Sequence, residues 1–394
     1  MSLAEGSGSS SASESTALGE LLAFFGTAGD YAAGTSPAEG ARIASLAAAI
    51  GDIEGLSAEQ SAALFFSALL RNSGAVGNPA LAKGHDLSER SSAMALWDIP
   101  AHSARLCEKI AALPHDTADI VRWQSECWDG TGFPDQLRWT GIPKAAQILN
   151  IASAYVHAGE PEEALVAITA EAGRSFSPEQ TRSFVTWYHT NGGEVAPVPV
   201  PHEALAASRT TPEDILELLS AAIDAHNATP GRSARIAETV RDILQAAGAP
   251  EEEIRDAAMA AQLFGAGELR AKRLEDDRFG PLARLGIELR SRNAVQAAEL
   301  LSPCAWLRPA AAIVRARAEW FDGTGAPDGL RSKHIPAGAQ ALALAIAHDA
   351  LEQSRRSKAA QERSLPMTLL ETASGTQFDP AAVRALASIA KMHA

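Results

Sequence analysis

Apolar residues recur every three or four positions along most of this chain. "SPAEGARIASLAAAI" (36–50) and "SAEQSAALFFSALL" (57–70) each put Ala, Ile, Leu and Phe on one helical face. Alternating β-branched runs are nearly absent, so both halves are expected to be all-α. Ser57 with Gln60 three residues on reads as a capping box. Thr211 reads as an N-cap, with Pro212 at the first helical position. Ser177-Pro178 and Asp379-Pro380 carry the same signal near the end of each half.

Two stretches break the helical pattern. "MSLAEGSGSSSASEST" (1–16) is small and polar, and a disordered tail is expected over 1–18. "EVAPVPVPHEALAASRTTPED" (194–214) alternates Val and Pro, which favours extended geometry. It is expected to link two domains, 19–194 and 213–394, with the linker at 195–212.

The halves repeat. "ARIA" at Ala41 recurs at Ala234 and "WDGTG" at Trp128 recurs as "FDGTG" at Phe321, in both cases 193 residues later. Glu126 and Glu319 keep that shift. A period this long means duplication of a domain, not a solenoid. Each glycine turn runs on to Ile-Pro and an apolar helix, "IPKAAQILNIASAYVHA" and "IPAGAQALALAIAHDAL". The second half then carries "SGTQFDP" from Ser374, and the first has "SFSPEQTRSFV" from Ser175.

This series resembles the HD-GYP family, helical metal-dependent phosphohydrolases that cleave cyclic di-GMP. The resemblance implies a tandem all-α fold and places the family's metal ligands position by position. The His-Asp dyad falls on Arg71 and Asn72 in the first half, and on Phe264 and Gly265 in the second. The paired histidines before the turn fall on Gln124 and Ser125, and on Arg317 and Ala318. The metal Asp of the later helix falls on Ser153 and Ile346. A histidine that precedes a proline falls near Ile99 and Arg292. Glu126 and Glu319 alone remain of the His-His-Glu triplet.

A multinuclear site needs carboxylates to offset cation charge and imidazoles at fixed separation. Arg71 brings a fixed positive charge instead, and Phe264 and Ile346 offer no lone pair. The expectation is therefore a catalytically degenerate site in each half, with no catalytic residue, metal or cofactor. The turn has reasons of its own to persist. Gly130, Gly132, Gly323 and Gly325 permit unusual backbone angles. Pro134 and Pro327 fix the exit, and Asp129 and Asp322 can bond back to the loop. The family's tyrosine is Phe133 in one copy and Ala326 in the other.

Two readings of the arginines stay open. Arg71 and Arg317 could fill vacated metal space by pairing with Glu126 and Glu319, or could bind an anion through their planar forks. His85-Asp86, His115-Asp116 and His348-Asp349 are literal His-Asp pairs; a metal site rebuilt from them with His102 or His157 is weighed against ordinary surface histidines and caps, with Asp116 or Thr117 as a helix cap. The Arg290–Asn293 run reads as solvated charge, and the seven tryptophans as core or turn packing.

Charge narrows the function classes. The net charge of −14 disfavours a nucleic-acid binder. No apolar run is long enough to span a bilayer. Three scattered cysteines give no disulfide framework or thiolate metal site and fit a reducing cytoplasm. The expectation is a regulatory or interaction module in bacterial signalling, with a protein partner, a homodimer or a cyclic dinucleotide as candidate binding partners. The alternatives are a metal-dependent cyclic di-GMP phosphodiesterase and a non-hydrolysing cyclic-dinucleotide sensor.

Overall fold

The fold comes from a computed structural model, which describes residues 6–78, 97–205, 210–269, 282–357 and 366–392. His85-Asp86 lies outside the described residues. Among the described residues there is no β-strand, and the fold is all-α, with two isolated bridges, Ala172 to Phe176 and Ser374 to Phe378. The chain divides into two compact units, Met1–Ile215 and Leu216–Ala394.

In the first unit α1 (Gly6–Ala33), α2 (Glu39–Ile53) and α3 (Ala58–Leu70) are followed by α4 (Ile99–Cys107), α5 (Thr117–Arg122), α6 (Lys144–Ala158), α7 (Pro161–Ala170) and α8 (Pro178–Asn191). Helix α2 packs on α3, α6 and α8, and α1 packs on α3. Phe25, Ile43, Leu64, Phe66, Ile148 and Phe184 fill the space between them and are fully buried. The expected capping box forms: Gln60 N donates to Ser57 Oγ (3.3 Å) and Ser57 N to Gln60 Oε1 (3.0 Å).

The order repeats with α9 (Pro212–His226), which crosses the division between the units, and, in the second unit, α10 (Arg232–Ala246), α11 (Glu251–Leu263), α12 (Leu282–Leu301), α13 (Arg308–Ala316), α14 (Ala337–Ser357), α15 (Pro366–Thr372) and α16 (Pro380–Met392). Helix α10 packs on α11, α14 and α16, as α2 does in the first unit. Thr211 caps α9 as expected, its hydroxyl accepting from Asp214 N (3.2 Å) while the Asp214 carboxylate accepts from Thr211 N (2.8 Å).

Several expectations need correction. Helix α1 begins at Gly6, so residues 6–18 of the stretch expected to be a disordered tail are helical, and Leu18 is buried. The apolar turns beyond Leu18 nucleate the helix, and each further residue adds a hydrogen bond at small cost. The Val-Pro stretch is neither helix nor strand, and it is seated on the first unit. Val198 N donates to Ser45 Oγ (3.1 Å), the His202–Leu205 turn packs along α1, and Leu205 is buried. Trp97 and Trp139 are mostly exposed, at 63% and 58%, while Trp187 is in the core and Trp97 packs on the first turn through Phe133. Asp116 occupies the cap position of α5 but its side chain makes no cap bond; it meets the exposed His115 ring (3.0 Å) instead.

Candidate functional site

The two glycine turns have one geometry. Asp129 Oδ1 accepts from Thr131 N (2.9 Å) and Thr131 Oγ1 (2.7 Å), and Asp322 does the same with Thr324 at the same distances. These bonds hold both aspartates below the usual carboxylate range. Gly130 and Gly323 have φ of +83° and +85°, where side chains are strained. A Cβ on Gly132 or Gly325 would overlap the backbone nitrogen of Cys127 or Trp320. Pro134 and Pro327 each follow a cis peptide bond.

The retained glutamates brace these turns. Glu126 accepts from Asp135 N (2.7 Å) and Leu137 N (3.0 Å). Glu319 accepts from Asp328 N (2.6 Å) and Leu330 N (3.1 Å). The opposite side of each turn is tied to the segment that ends the motif series: Asp129 N donates to Arg174 O (2.9 Å) and Asp322 N to Thr376 O (3.0 Å). The motifs that survive in the sequence are thus in contact, and each carries a bond the turn needs.

Beside the first turn lies a cavity of about 420 Å3. The structure brings Arg71, Asn72, Gln124, Ser125, Phe133 and Ser153 to its wall. Arg71 does not pair with Glu126, whose oxygens are taken by the turn backbone. Its Nη2 instead meets Asp30 Oδ1 (3.3 Å) and Glu39 Oε1, with Arg71 and Asp30 both buried. Asp30 also accepts from Asn72 Nδ2 (2.9 Å) and Gly40 N (2.7 Å). Glu39 is shared with His157 Nε2 (2.8 Å). Burial pushes the Asp30 carboxyl up to about 6, against the downward pull of Arg71, the Gly40 amide and Asn72. Phe133 stacks on Trp97, with ring centroids 5.6 Å apart.

The second cavity, about 230 Å3, has the opposite character. Arg317, Ala318 and Ile346 reach its wall, joined by Arg232 and Arg290. Where the first unit has Glu39 the second has Arg232, and where it has Arg71 the second has Phe264. The Arg232 and Arg317 guanidinium carbons lie 5.3 and 5.5 Å from the Phe264 ring centroid, a cation–π arrangement. Glu319 does not pair with Arg317, again because it holds its turn. Asp224, equivalent to Asp30, accepts from Ser233 N (2.9 Å) and Ser233 Oγ (2.6 Å). Gly265 O accepts from Asn227 Nδ2 (3.2 Å). The Arg290–Asn293 run is not all solvated charge: Ser291 and Asn293 are buried, and Arg290 faces the cavity.

Asp30 and Arg232 were missed by sequence reasoning. A weak signal existed: Asp30 and Asp224 are acids interrupting apolar helices, 194 residues apart and so one residue off the shift of the repeat. Asp349, half of a literal His-Asp pair, meets Arg235 (2.9 Å) and Arg232 (3.7 Å) and serves an ion pair. Among the described residues no group of three His, Cys, Asp or Glu side chains could hold a metal ion. The described donor set of either cavity therefore does not fit a metal centre.

The family model for the HD domain matches residues 32–176 and again 212–382. The chain belongs to the HD domain family. A curated relative, the cyclic di-GMP phosphodiesterase response regulator RpfG of Xanthomonas campestris pv. campestris (strain 8004), is 31% identical over 150 residues. That match covers 35% of this chain and 37% of the relative, so the chain spans little more than a third of that protein. Across nearly the whole chain, the fold of both HD domains resembles the crystal structure of a cyclic GMP-AMP-specific phosphodiesterase from V. cholerae (V-cGAP3). The TM-score is 0.64 at 21% identity, over 95% of this chain and 98% of that one. No helix among the described residues is long and apolar enough to cross a membrane.

Proposed function

We propose that this chain is a catalytically degenerate pair of HD-GYP-like domains that regulates a signalling protein, rather than an enzyme. One observation carries the reading. In both units the positions onto which the resemblance carries the family's metal ligands hold side chains that cannot offset cation charge, and Arg71, at one of them in the first unit, is engaged in an ion pair with Asp30 and Glu39. A guanidinium there repels a cation and keeps its charge at any ordinary pH. The turns persist because Glu126, Glu319 and the closing segments hold them as architecture. Partner binding then falls to the outer surfaces, with a cytoplasmic signalling protein or a second copy of this chain as partner.

A second reading is a metal-dependent cyclic-dinucleotide phosphodiesterase, favoured by what RpfG and V-cGAP3 are named for. Elemental mass spectrometry on protein purified without chelator separates the two. The regulatory reading expects iron, manganese and zinc near zero, and no hydrolysis of cyclic di-GMP or cyclic GMP-AMP after metal is added. About two bound ions per chain, together with turnover, would establish the enzyme.

A further inference from the structure

The two vacated pockets have diverged in charge. In the first, the Arg71 guanidinium is matched by Asp30 and Glu39. In the second, Arg317 is 8% exposed and makes no salt bridge or side-chain hydrogen bond with any described residue; its Nε is buried with no partner. Arg232 lies against the same Phe264 ring, and Arg232 and Arg290 line the same cavity wall as Arg317. The acids nearby are mostly engaged. Glu319 holds the turn backbone, and Asp349 meets Arg235 more closely than Arg232. Glu268 acts on Arg317 at longer range, without forming a salt bridge.

A buried guanidinium with no counter-ion is costly, and an anion reaching it would remove that cost. Burial, reinforced by Arg232 and Arg290, pulls the Arg317 group down to about 10 while Glu268 holds it up, so it keeps its proton at neutral pH. The cavity of about 230 Å3 is smaller than the ~300–1,000 Å3 typical of pockets that enclose a whole drug-sized ligand. It suits one phosphoryl group. Planar guanidinium forks match phosphate oxygens bidentately, and several of them around one anion suit a multiply charged phosphate better than a single carboxylate.

We propose that the second unit is a metal-independent receptor for a phosphoryl anion, held by Arg317 with Arg232 and Arg290. The proposal rests on the non-catalytic reading and gives that regulatory module its ligand class. The anion is either free phosphate or pyrophosphate, or the phosphoryl end of a larger molecule.

The test is calorimetric titration of the full chain, treated with chelator, using inorganic phosphate, pyrophosphate, cyclic di-GMP and malonate as probes. The expected result is one site per chain for phosphate or pyrophosphate, with malonate weaker by tenfold or more. Arg317→Met and Arg232→Gln should each weaken binding by tenfold or more. Arg308→Gln, which removes the same charge from the same unit outside the cavity, should not. Cyclic di-GMP binding in addition, lost in the same variants, identifies a larger phosphate ester as the source. No binding by the intact protein would overturn the proposal, as would full affinity in both cavity variants or equal affinity for malonate. Binding of cyclic di-GMP without either inorganic probe would overturn the size argument with it. If Arg317→Met fails to fold by circular dichroism, Arg232→Gln decides. Parallel hydrolysis assays with added metal keep the failures apart: turnover sinks the non-catalytic reading, whereas absent binding without turnover sinks this proposal alone.

Discussion

Arg71→Met is the most informative perturbation of the first unit. Arg71 and Asp30 are 4% and 1% exposed, so their contact is a buried ion pair. Removing one partner of such a pair costs about 3–5 kcal/mol, because the other charge stays buried and uncompensated. For a unit of this size each kcal/mol moves Tm by about 2–4 °C. The first unit's transition should therefore fall by about 6–20 °C. The pH dependence carries a sign. The folded Asp30 carboxyl sits at about 6, above the ~3.9 of an unfolded aspartate. The stability it contributes is fully present below the unfolded value and is lost as pH rises through the folded one. The gap between the folded and unfolded values corresponds to about 3 kcal/mol, lost between roughly pH 4 and 6. Losing Arg71 takes away the strongest downward pull and carries that loss to higher pH. Scanning calorimetry at pH 5 and pH 8 should show a smaller deficit in the variant at pH 5. A Tm within about 2 °C of the intact protein at both pH values, or a deficit larger at pH 5, would refute the reasoning.

Arg317→Met should behave oppositely in phosphate-free buffer. It removes a buried charge with no counter-ion among the described residues, so the second unit's Tm should hold or rise; a loss above about 3 kcal/mol would show that Arg317 has a partner in the fold. Glu319→Gln places an amide NH2 where the carboxylate accepts from Asp328 N and Leu330 N, and urea titration should read a loss of about 1–3 kcal/mol. Cys107 is buried and its thiol is pushed up to about 12, so a thiol reagent at pH 8 should leave it unmodified in the native state.

Much of the fold was legible. Helices with a three-to-four spacing, the Ser57–Gln60 and Thr211–Asp214 caps and the 193-residue repeat are local or register signals. They depend on neighbours in the chain, and periodicity reports them directly. The pairing of places across the repeat was legible for the same reason: Arg71, Gln124 and Ser153 line one cavity, and Arg317 and Ile346 line its counterpart in the second unit. The two ends of the Val-Pro stretch show where such reading stops. Proline ruled out helix there, but whether the chain floats or docks depended on Ser45 and α1 offering it a surface.

The sequence by itself therefore determined that this chain carries two copies of an all-α HD domain and which residues stand at equivalent places in them. Tertiary structure decided what those residues do. Glu126 looked free to pair with Arg71, but the turn folds back and places two backbone amides on its carboxylate. Asp30, 41 residues away, takes Arg71 instead. In the second unit Arg232 and Phe264 stand where Glu39 and Arg71 would be, and Arg317 is buried without a counter-ion among the described residues. Pattern and propensity are set by near neighbours, whereas the pairing of a buried charge is settled by which helices meet around it, and no spacing along the chain encodes that.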